Sequence, residues 1–290
     1  MLFDVPIGRW FPMADAPVGL DNRDASAVLG LDLYVLTRPT SPTSARLFLR
    51  FDRQANNWES LPIPDIPSDV PYRLVSDGVG LIAYAATSGD DTVADVRYYP
   101  DTGWSPLPTA PARASAERAY YHVGDDPVVF TRDEPSAGGA LHVDRLHALT
   151  WQPVPAPEGG GQLPLQVGPS VVFIPDAVER RQVRAQMLWT DWVWRPVGPR
   201  LTAATGSLAV NVLGADRYPS LDGPTVDLST SKVLKQPKIP SELRPLRDPA
   251  MVVVGSDLFV FGGTIDRPAG SLPTDSAFLF HPSVSISYDD

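Results

Sequence analysis

Residues 98–108 read YYPDTGWSPLP, and this stretch decides the fold because similar phrases recur along the chain. In each phrase a tryptophan precedes a short run of apolar residues and proline. The phrases are WFPMADAP at 10–17, WESLPIP at 58–64, WSPLPTAP at 104–111, WQPVPAP at 151–157 and WRPVGP at 194–199. Their tryptophans return about every 45 residues, which is a period typical of repeat architectures.

Each repeat contains the same succession of short apolar runs. In the repeat around Trp104, YRLVSDG (72–78) leads to GLIAYAA (80–86), and a polar loop then leads to VADVRYY (93–99). The second run is apolar and aromatic, as expected for a strand buried on both faces. Four short strands in a period of about 45 residues indicate one propeller blade per repeat.

Six repeats fit the 290 residues if VLKQPKIP (233–240), in which Val233 replaces the tryptophan, is counted. We expect an all-β, six-bladed β-propeller of four-stranded antiparallel blades. The single domain covers residues 1–290, with blades at about 20–66, 67–111, 112–157, 158–199, 200–240 and 241–290 plus 1–19. The last repeat lacks a tryptophan strand, so we expect Gly8 to Met13 to pair with the C-terminal strands and close the ring. Closure by one strand plus three and closure by two plus two both fit the sequence.

The recurring tryptophan is expected to be structural. A large aromatic side chain in an outer strand can lie between neighbouring blades, and the proline after it ends the strand ladder. The alternative is a lectin-like aromatic platform on each blade.

The phrases RFDRQANNWESLPIP (50–64) and YYPDTGWSPLP resemble Kelch repeats, and DLFVFGG (257–263) resembles the strand and Gly-Gly element of that family. The chain departs from the family because a glycine doublet directly after the second apolar run of a repeat occurs only at 262–263 and because the fifth repeat lacks tryptophan. The resemblance implies a binding scaffold in most cases, and in a minority a protein acting on small molecules, such as a sialic acid mutarotase or a specifier-type protein. It also implies a site at one mouth of the central channel, formed by the loops between second and third strands and between blades.

Composition narrows the functional classes. A net charge of −10 argues against a nucleic acid partner, because phosphate binding needs concentrated positive charge. The absence of cysteine excludes disulfides, thiolate zinc sites and a galactose-oxidase type of copper site. Without a secretory signal or a long apolar run, we expect a cytoplasmic monomer with no membrane partner.

Arginines recur near the start of the first strand of several repeats. The candidate ligand-binding residues are Arg23, Arg73, Arg118, Arg247 and Asp248, with Arg200 and Arg244 in similar positions. Guanidinium groups converging at the channel mouth would bind a carboxylate, a phosphate or an acidic peptide. The alternative is that each arginine pairs with a carboxylate or carbonyl of the adjacent blade, which the neighbouring Asp24 and Asp248 favour.

The stretch RAYYHVG (118–124) carries the densest set of polar groups. Strand alternation places Arg118, Tyr120 and His122 on one face and Tyr121 on the other. Tyr120 and His122 are the catalytic candidates if the protein is an enzyme, since a phenol and an imidazole can transfer protons. A histidine buried with its hydrogen bonds satisfied is the structural alternative.

Metal and cofactor chemistry finds no support in the sequence. The four histidines (122, 142, 147 and 281) form no ligand motif, so we expect neither a metal nor another cofactor. WTDWVW (189–194) is either an exposed aromatic patch or the packed flank of a hairpin.

Two functions remain open. The first is a binding module that recognises a protein partner or a small anionic or polar ligand through the loops at one channel mouth. The second is a metal-independent enzyme of the isomerase, mutarotase or cyclase type. Convergence of arginine, tyrosine and histidine on a polar pocket would favour the enzyme.

Overall fold

The computed structural model describes residues 2–4, 9–21, 24–39, 44–85, 87–88, 94–111, 116–133, 140–157, 163–167, 170–173, 183–188, 190–201, 225–227, 232–234, 246–247, 250–254, 257–262, 264–267, 270–273 and 277–280. Within these ranges the structure consists of β-strands joined by turns and loops. In the same part of the chain no helix is long and apolar enough to cross a membrane.

A pair of short strands precedes the first complete sheet. The pair is formed by β1 (Leu2–Asp4) and β2 (Arg9–Phe11). The first sheet then has the antiparallel order β3 (Ala25–Leu29), β4 (Asp32–Leu36), β5 (Phe48–Asp52) and β6 (Asn57–Leu61). The two central strands carry the buried apolar residues, whereas the two outer strands alternate with exposed positions.

The second and third sheets repeat this arrangement. The next strands are β7 (Tyr72–Ser76), β8 (Leu81–Ala85), β9 (Thr87–Ser88), β10 (Val96–Tyr99) and β11 (Gly103–Pro106). The second sheet has the order β7-β8-β10-β11. The third sheet contains β12 (Ala116–Val123), β13 (Asp126–Arg132), β14 (Leu141–His147) and β15 (Thr150–Val154) in chain order. It gains a fifth strand that the repeat did not predict, because β9 pairs with the open edge of β12.

The remaining strands form one further four-stranded sheet and several smaller ones. The fourth sheet has the order β16 (Leu165–Val167), β17 (Ser170–Phe173), β18 (Val183–Leu188) and β19 (Trp194–Leu201). The C-terminal strands are β20 (Thr225–Asp227), β21 (Lys232–Leu234), β22 (Leu246–Arg247), β23 (Ala250–Val254), β24 (Asp257–Phe261), β25 (Thr264–Arg267), β26 (Gly270–Pro273) and β27 (Ala277–Phe280). They form the sheets β20-β21, β22-β25-β26 and β23-β24-β27.

Two apolar cores lie between successive sheets. In the first core, Tyr34 and Phe48 of the first sheet pack with Leu81 and Tyr98 of the second sheet. In the second core, Ile82 and Tyr84, on the other face of the second sheet, pack with residues of the third sheet, including Tyr120 and Val129. The second sheet is therefore covered on both faces, which is how propeller blades bury their surface.

The chain divides into two compact units. One consists of residues 1–2, 10–171 and 188–194, and contains the first, second and third sheets. The other consists of residues 3–9, 172–187 and 195–290, and contains the C-terminal strands.

The predicted all-β class is confirmed, and the three four-stranded antiparallel sheets fit a propeller. The number of six blades, their boundaries and the closure of the ring stay predictions. Among the described pairings β2 pairs with β1, and residues 283–290 and the predicted start of the clasp at Gly8 lie outside the described residues.

Candidate functional site

The recurring tryptophans lie between sheets, each in the same way. The indole Nε1 of Trp58 donates to the carbonyl of Ala14, that of Trp104 to Pro62, that of Trp151 to Pro108 and that of Trp194 to Pro155, at distances of 2.7 to 2.9 Å. Each acceptor lies in or beside the preceding tryptophan phrase. This geometry agrees with the structural interpretation of the repeat, because the polar edge of each indole is used within the protein.

The first three sheets have two distinct ends. We call the end that holds the turns between first and second strands and between third and fourth strands the turn end. The loop between second and third strands lies at the opposite end, which we call the loop end. Arg73, Arg118 and Asp95 lie towards the loop end, since they are close to the starts of β7, β12 and β10.

Arg118 is buried and paired with a carboxylate of the preceding sheet. Its Nη1 donates to Asp95 Oδ2 at 2.8 Å, its Nη2 donates to Asp95 Oδ1 at 2.6 Å, and its Nε donates to the Ala85 carbonyl at 2.7 Å. The Tyr120 hydroxyl donates to Asp95 Oδ2 at 2.5 Å. Asp95, Arg118 and Tyr120 thus form one group, the Asp95 cluster, which joins the second sheet to the third.

Burial dominates the electrostatics of the Asp95 cluster. Desolvation raises the pKa of Asp95, and the charge of Arg118 and the hydrogen bonds from Tyr120 and Arg118 act against this rise. Desolvation together with the charge of Asp95 raises the pKa of Tyr120 well above its ordinary value. The phenol therefore stays protonated near neutral pH and serves as a hydrogen-bond donor.

Arg73 lies beside the Asp95 cluster but remains exposed. It is opposite Tyr84 in the pairing of β7 with β8. Burial raises the pKa of the Tyr84 hydroxyl, and hydrogen bonding from the Tyr120 backbone N–H and from Arg73 lowers it by smaller amounts. Among the described residues Arg73 forms no ion pair. Because the residue is exposed, its guanidinium is accessible at the loop end.

His122 lies nearer the turn end of the same strand. The side chain of Gln166 holds its backbone, because Oε1 accepts from the His122 N–H at 2.9 Å and Nε2 donates to the His122 carbonyl at 2.9 Å. Desolvation lowers the pKa of the imidazole, while a hydrogen bond with the Ser76 backbone and the charges of Asp77 and Asp125 act against it. Its Nδ1 is buried and has no hydrogen-bond partner in the described part of the chain.

The open edge of β12 is covered along most of its length. β9 pairs with Ala116 and Glu117, and Tyr84 lies against the Tyr120 N–H. The side-chain amide of Gln166 hydrogen-bonds to both the N–H and the carbonyl of His122, as a neighbouring strand would. An edge satisfied in this way is a poor template for an added peptide strand. Recognition at this place would therefore rest on side chains.

Strand alternation places Arg118 and Tyr120 on one face of β12 and Tyr121 on the other, as predicted. Arg118 and Tyr120 contact Asp95 of the second sheet. Tyr121 lies on the other side, where its hydroxyl donates to the Pro164 carbonyl at 2.6 Å. The structure brings Arg118 and Tyr120 together, but on a carboxylate of the protein.

The other predicted ligand-binding residues are described less fully. Arg23 and Asp248, like Arg244, lie outside the described residues. Arg247 ends β22, where its backbone is opposite Thr264, and Arg200 belongs to β19.

Two further histidines contact carboxylates on the third sheet. His142 Nε2 is 2.8 Å from Asp133 Oδ2, and His147 Nδ1 is 3.3 Å from Asp126 Oδ2. Among the described residues no group of three or more histidine or acidic side chains could hold a metal ion.

Trp192 and Trp194 of the aromatic stretch contact the third sheet, whereas Trp189 lies outside the described residues. The Arg145 guanidinium lies 4.6 Å from the centre of the Trp192 ring, and Arg145 also donates to Gln152. Trp194 donates to Pro155 and contacts the Phe130 ring. These contacts favour the packed flank over a free aromatic patch.

Sequence reasoning missed two residues of the loop end. Asp95 belongs to the acidic stretch GDDTVAD (89–95), which appeared to be a loop with no metal-binding pattern, and Arg46 was not distinguished from other arginines. Their common signal is a charged residue immediately before the third strand of a repeat, where an apolar run begins.

Comparison with known proteins adds one solved structure. The chain titled "Structure of YjhT" has 13% sequence identity and a TM-score of 0.45, covering 94% of this chain and 85% of that chain. No protein-family model and no curated protein matches the chain.

Proposed function

We propose that the protein is a six-bladed, Kelch-like propeller, closed by its N-terminal strand, that acts as a binding module. The ligand or partner is recognised by loops at one mouth of the channel, at the loop end of the sheets. Its blades follow the boundaries predicted from the repeat, and the protein works as a cytoplasmic monomer without a cofactor.

The observation that carries this proposal is the Asp95 cluster. Asp95 accepts from both arms of Arg118 and from the Tyr120 hydroxyl, so neither group is free to act on a substrate. A phenol with a raised pKa that already donates to a carboxylate is a poor proton-transfer group near neutral pH. The arrangement supports a rigid scaffold over a catalytic centre.

Arg73 is the described residue best placed to contact the bound molecule. It is exposed, it forms no ion pair among the described residues, and its neighbour Tyr84 is fixed in the core. A fixed guanidinium fork suits a carboxylate, a phosphate or an acidic peptide segment. Arg118, Arg23, Arg247 and Asp248 have equivalent positions in the sequence repeats and stay predicted ligand-binding residues.

The enzyme remains the second candidate, and one observation favours it. Nδ1 of His122 is buried and has no hydrogen-bond partner among the described residues, and the lowered pKa favours the neutral imidazole at pH 7. A neutral imidazole can accept a proton from a small molecule, whereas the Tyr120 hydroxyl, the other predicted catalytic group, donates to Asp95.

A binding experiment with matched variants separates the two functions. Cross-linked partners or co-purified small molecules are identified by mass spectrometry, and their affinity is then measured with purified components. We expect Arg73→Gln to weaken binding about tenfold. Arg53→Gln, in the turn between β5 and β6, is the control and should bind like the wild type.

Catalytic turnover of a bound small molecule would favour the enzyme over the binding module. If the purified protein converts its bound small molecule, and His122→Gln abolishes conversion without weakening binding, the enzyme is the correct function. Equal affinities of Arg73→Gln and Arg53→Gln would remove the proposed contact surface.

A further inference from the structure

Arg46 is a buried arginine at the loop end of the junction between the first and second sheets. It lies just before β5 and is only 5% exposed. Its Nη2 donates to three backbone carbonyls, those of Pro67 at 3.2 Å, Ser68 at 3.2 Å and Val70 at 2.9 Å. Its Nε is buried and has no hydrogen-bond partner among the described residues.

The next junction shows what Arg46 lacks. Arg118, at the junction of the second and third sheets, is similarly buried but binds both oxygens of Asp95. Arg46 has no carboxylate partner in the described part of the chain, and its Nη2 donates there to peptide carbonyls instead. Arginine is seldom buried without a paired anion, because transferring an uncompensated charge out of water is costly.

An aromatic ring and a second arginine lie near Arg46. Its guanidinium carbon lies 5.4 Å from the centre of the Tyr72 ring, which supplies a weak cation–π contact. Arg38 is exposed and close enough for its charge to lower the pKa of Arg46, in addition to the larger effect of burial. The guanidinium groups of Arg38 and Arg46 are therefore neighbours, in a chain whose net charge is −10.

One carboxylate lies beside this segment. Asp24 accepts from the backbone N–H groups of Arg38 at 2.7 Å and Asp21 at 2.8 Å, and among the described residues it forms no ion pair with the guanidinium of Arg38 or Arg46. The Thr37 hydroxyl accepts from the Leu47 N–H at 2.8 Å. These contacts hold the backbone around the two arginines.

We propose that Arg46 and Arg38 form a binding site for a small oxyanion, the carboxylate or phosphate group of a ligand. Nη1 of Arg46 has no acceptor among the described residues and is not sealed from solvent, so it is the donor that reaches the anion. Arg38, which is exposed, provides the second charge. The anion supplies the compensation that Asp95 provides for Arg118. This site is separate from Arg73 and does not depend on the proposed function.

The site is tested with the full chain and two probe anions. Unfolding by urea is followed at pH 7 in rising concentrations of inorganic phosphate and, separately, of acetate, with sodium chloride at matched ionic strength as reference. A bound anion stabilises the native state in proportion to the logarithm of its concentration above the dissociation constant. We expect a saturable binding isotherm for at least one anion and an unfolding midpoint that exceeds the chloride reference.

Variants identify the residues. Arg38→Gln lies on the surface and should fold normally, yet bind the anion about tenfold more weakly. Arg46→Lys keeps the charge but loses the fork, and we expect a similar loss. Arg50→Gln removes an arginine of the same sheet that is already paired with Asp32, and it should bind like the wild type.

The outcomes are distinct. Stabilisation by phosphate alone assigns a phosphate-bearing ligand, and stabilisation by both anions assigns a general oxyanion site. If both anions act no more strongly than chloride, or if Arg38→Gln and Arg46→Lys bind like Arg50→Gln, the site does not exist.

Discussion

Arg118 and Asp95 form a two-pronged ion pair across the junction of two sheets, with N–O distances of 2.8 and 2.6 Å. The two residues come from different sheets and lie on either side of a loop and a tryptophan strand. Both side chains are almost completely buried. The ion pair therefore fixes the position of the second sheet relative to the third sheet at this point. The ion pair and the apolar core that contains Tyr84 and Tyr120 both join the second sheet to the third.

Breaking this ion pair from one side should strongly destabilise the protein. Asp95→Asn leaves the Arg118 guanidinium buried without a counter-charge, which costs about 3–5 kcal/mol in comparable sites. The measurement is the free energy of unfolding in urea. Asp32→Asn, which breaks the partly exposed pair with Arg50, is the control and should cost about 1 kcal/mol or less.

The double variant Asp95→Asn with Arg118→Met tests whether the effect comes from the pair. Once the charge is removed as well, much of the lost stability should return. The single variant Arg118→Met completes the comparison. If the loss of stability in the double variant equals the sum of the losses in the two single variants, the residues do not act together.

Each indole bond between sheets should make a measurable contribution. Trp104→Phe keeps an aromatic ring against Phe48 and Tyr98 but loses the bond from Nε1 to the Pro62 carbonyl, at a cost of about 1 kcal/mol. Trp104→Ala also removes the ring contacts and should cost about 3 kcal/mol. Thermal and urea unfolding measure both values, and Leu149→Ala, at a side chain that is 76% exposed, should change stability little. Identical stabilities of wild type and Trp104→Phe would contradict the role of the bond.

The turn between β7 and β8 depends on a glycine without space for a side chain. A Cβ on Gly80 would lie 2.5 Å from the Tyr98 carbonyl oxygen, which belongs to the backbone of the adjacent strand. The same turn is held by Asp77, whose Oδ1 accepts from the Val79 and Gly80 N–H groups. We expect Gly80→Ala to destabilise the fold by about 1–3 kcal/mol.

Gly19→Ala is the matched control for this turn, because a Cβ at Gly19 has nothing within 4 Å. It should leave the unfolding midpoint almost unchanged. A Gly80→Ala variant as stable as Gly19→Ala would mean that β10 moves freely away from the turn.

His122 should make stability depend on pH below neutrality. Burial lowers its pKa in the folded state below the unfolded value of about 6.5, so the unfolded chain takes up a proton first. The stability that the protein keeps while His122 is neutral is fully present above pH 6.5. It is lost as the pH falls from 6.5 through the pKa of His122 in the folded state. Urea unfolding between pH 8 and pH 5 should show a steeper loss for the wild type than for His122→Gln.

Tyr121→Phe is the control for the pH effect. It alters the neighbouring residue of the same strand without removing a group that titrates in this range, since burial raises the pKa of Tyr121. It should keep the slope of the wild type, whereas parallel profiles for wild type and His122→Gln would refute the assignment.

Several strands could be predicted because their signal is local. LDLYVLT (31–37) and GLIAYAA (80–86) contain β4 and β8, and the tryptophan phrases contain β6, β11 and β15. A run of apolar residues and a turn after it bias the backbone over a few residues, so their repetition reveals the sheets. The face shared by Arg118 and Tyr120 was predictable for the same reason, since alternation along a strand is a local property.

The candidate site was less predictable because its partners meet through the tertiary structure. Arg118 could have faced a ligand or a carboxylate, and only the packing of the second sheet on the third brings Asp95 to it. The addition of β9 to β12 likewise depends on the path of a loop between two sheets.

The sequence by itself determined the all-β class, the four-strand repeat and the position of the tryptophans, because each follows from periodic local preferences. Only the tertiary structure decided which charges are matched. Arg118 finds Asp95 across its junction, whereas Arg46, buried in the same way one junction earlier, donates to peptide carbonyls and has no carboxylate partner among the described residues. The physical reason is that compensation of a buried charge depends on distances of a few ångströms between segments that are remote in the chain.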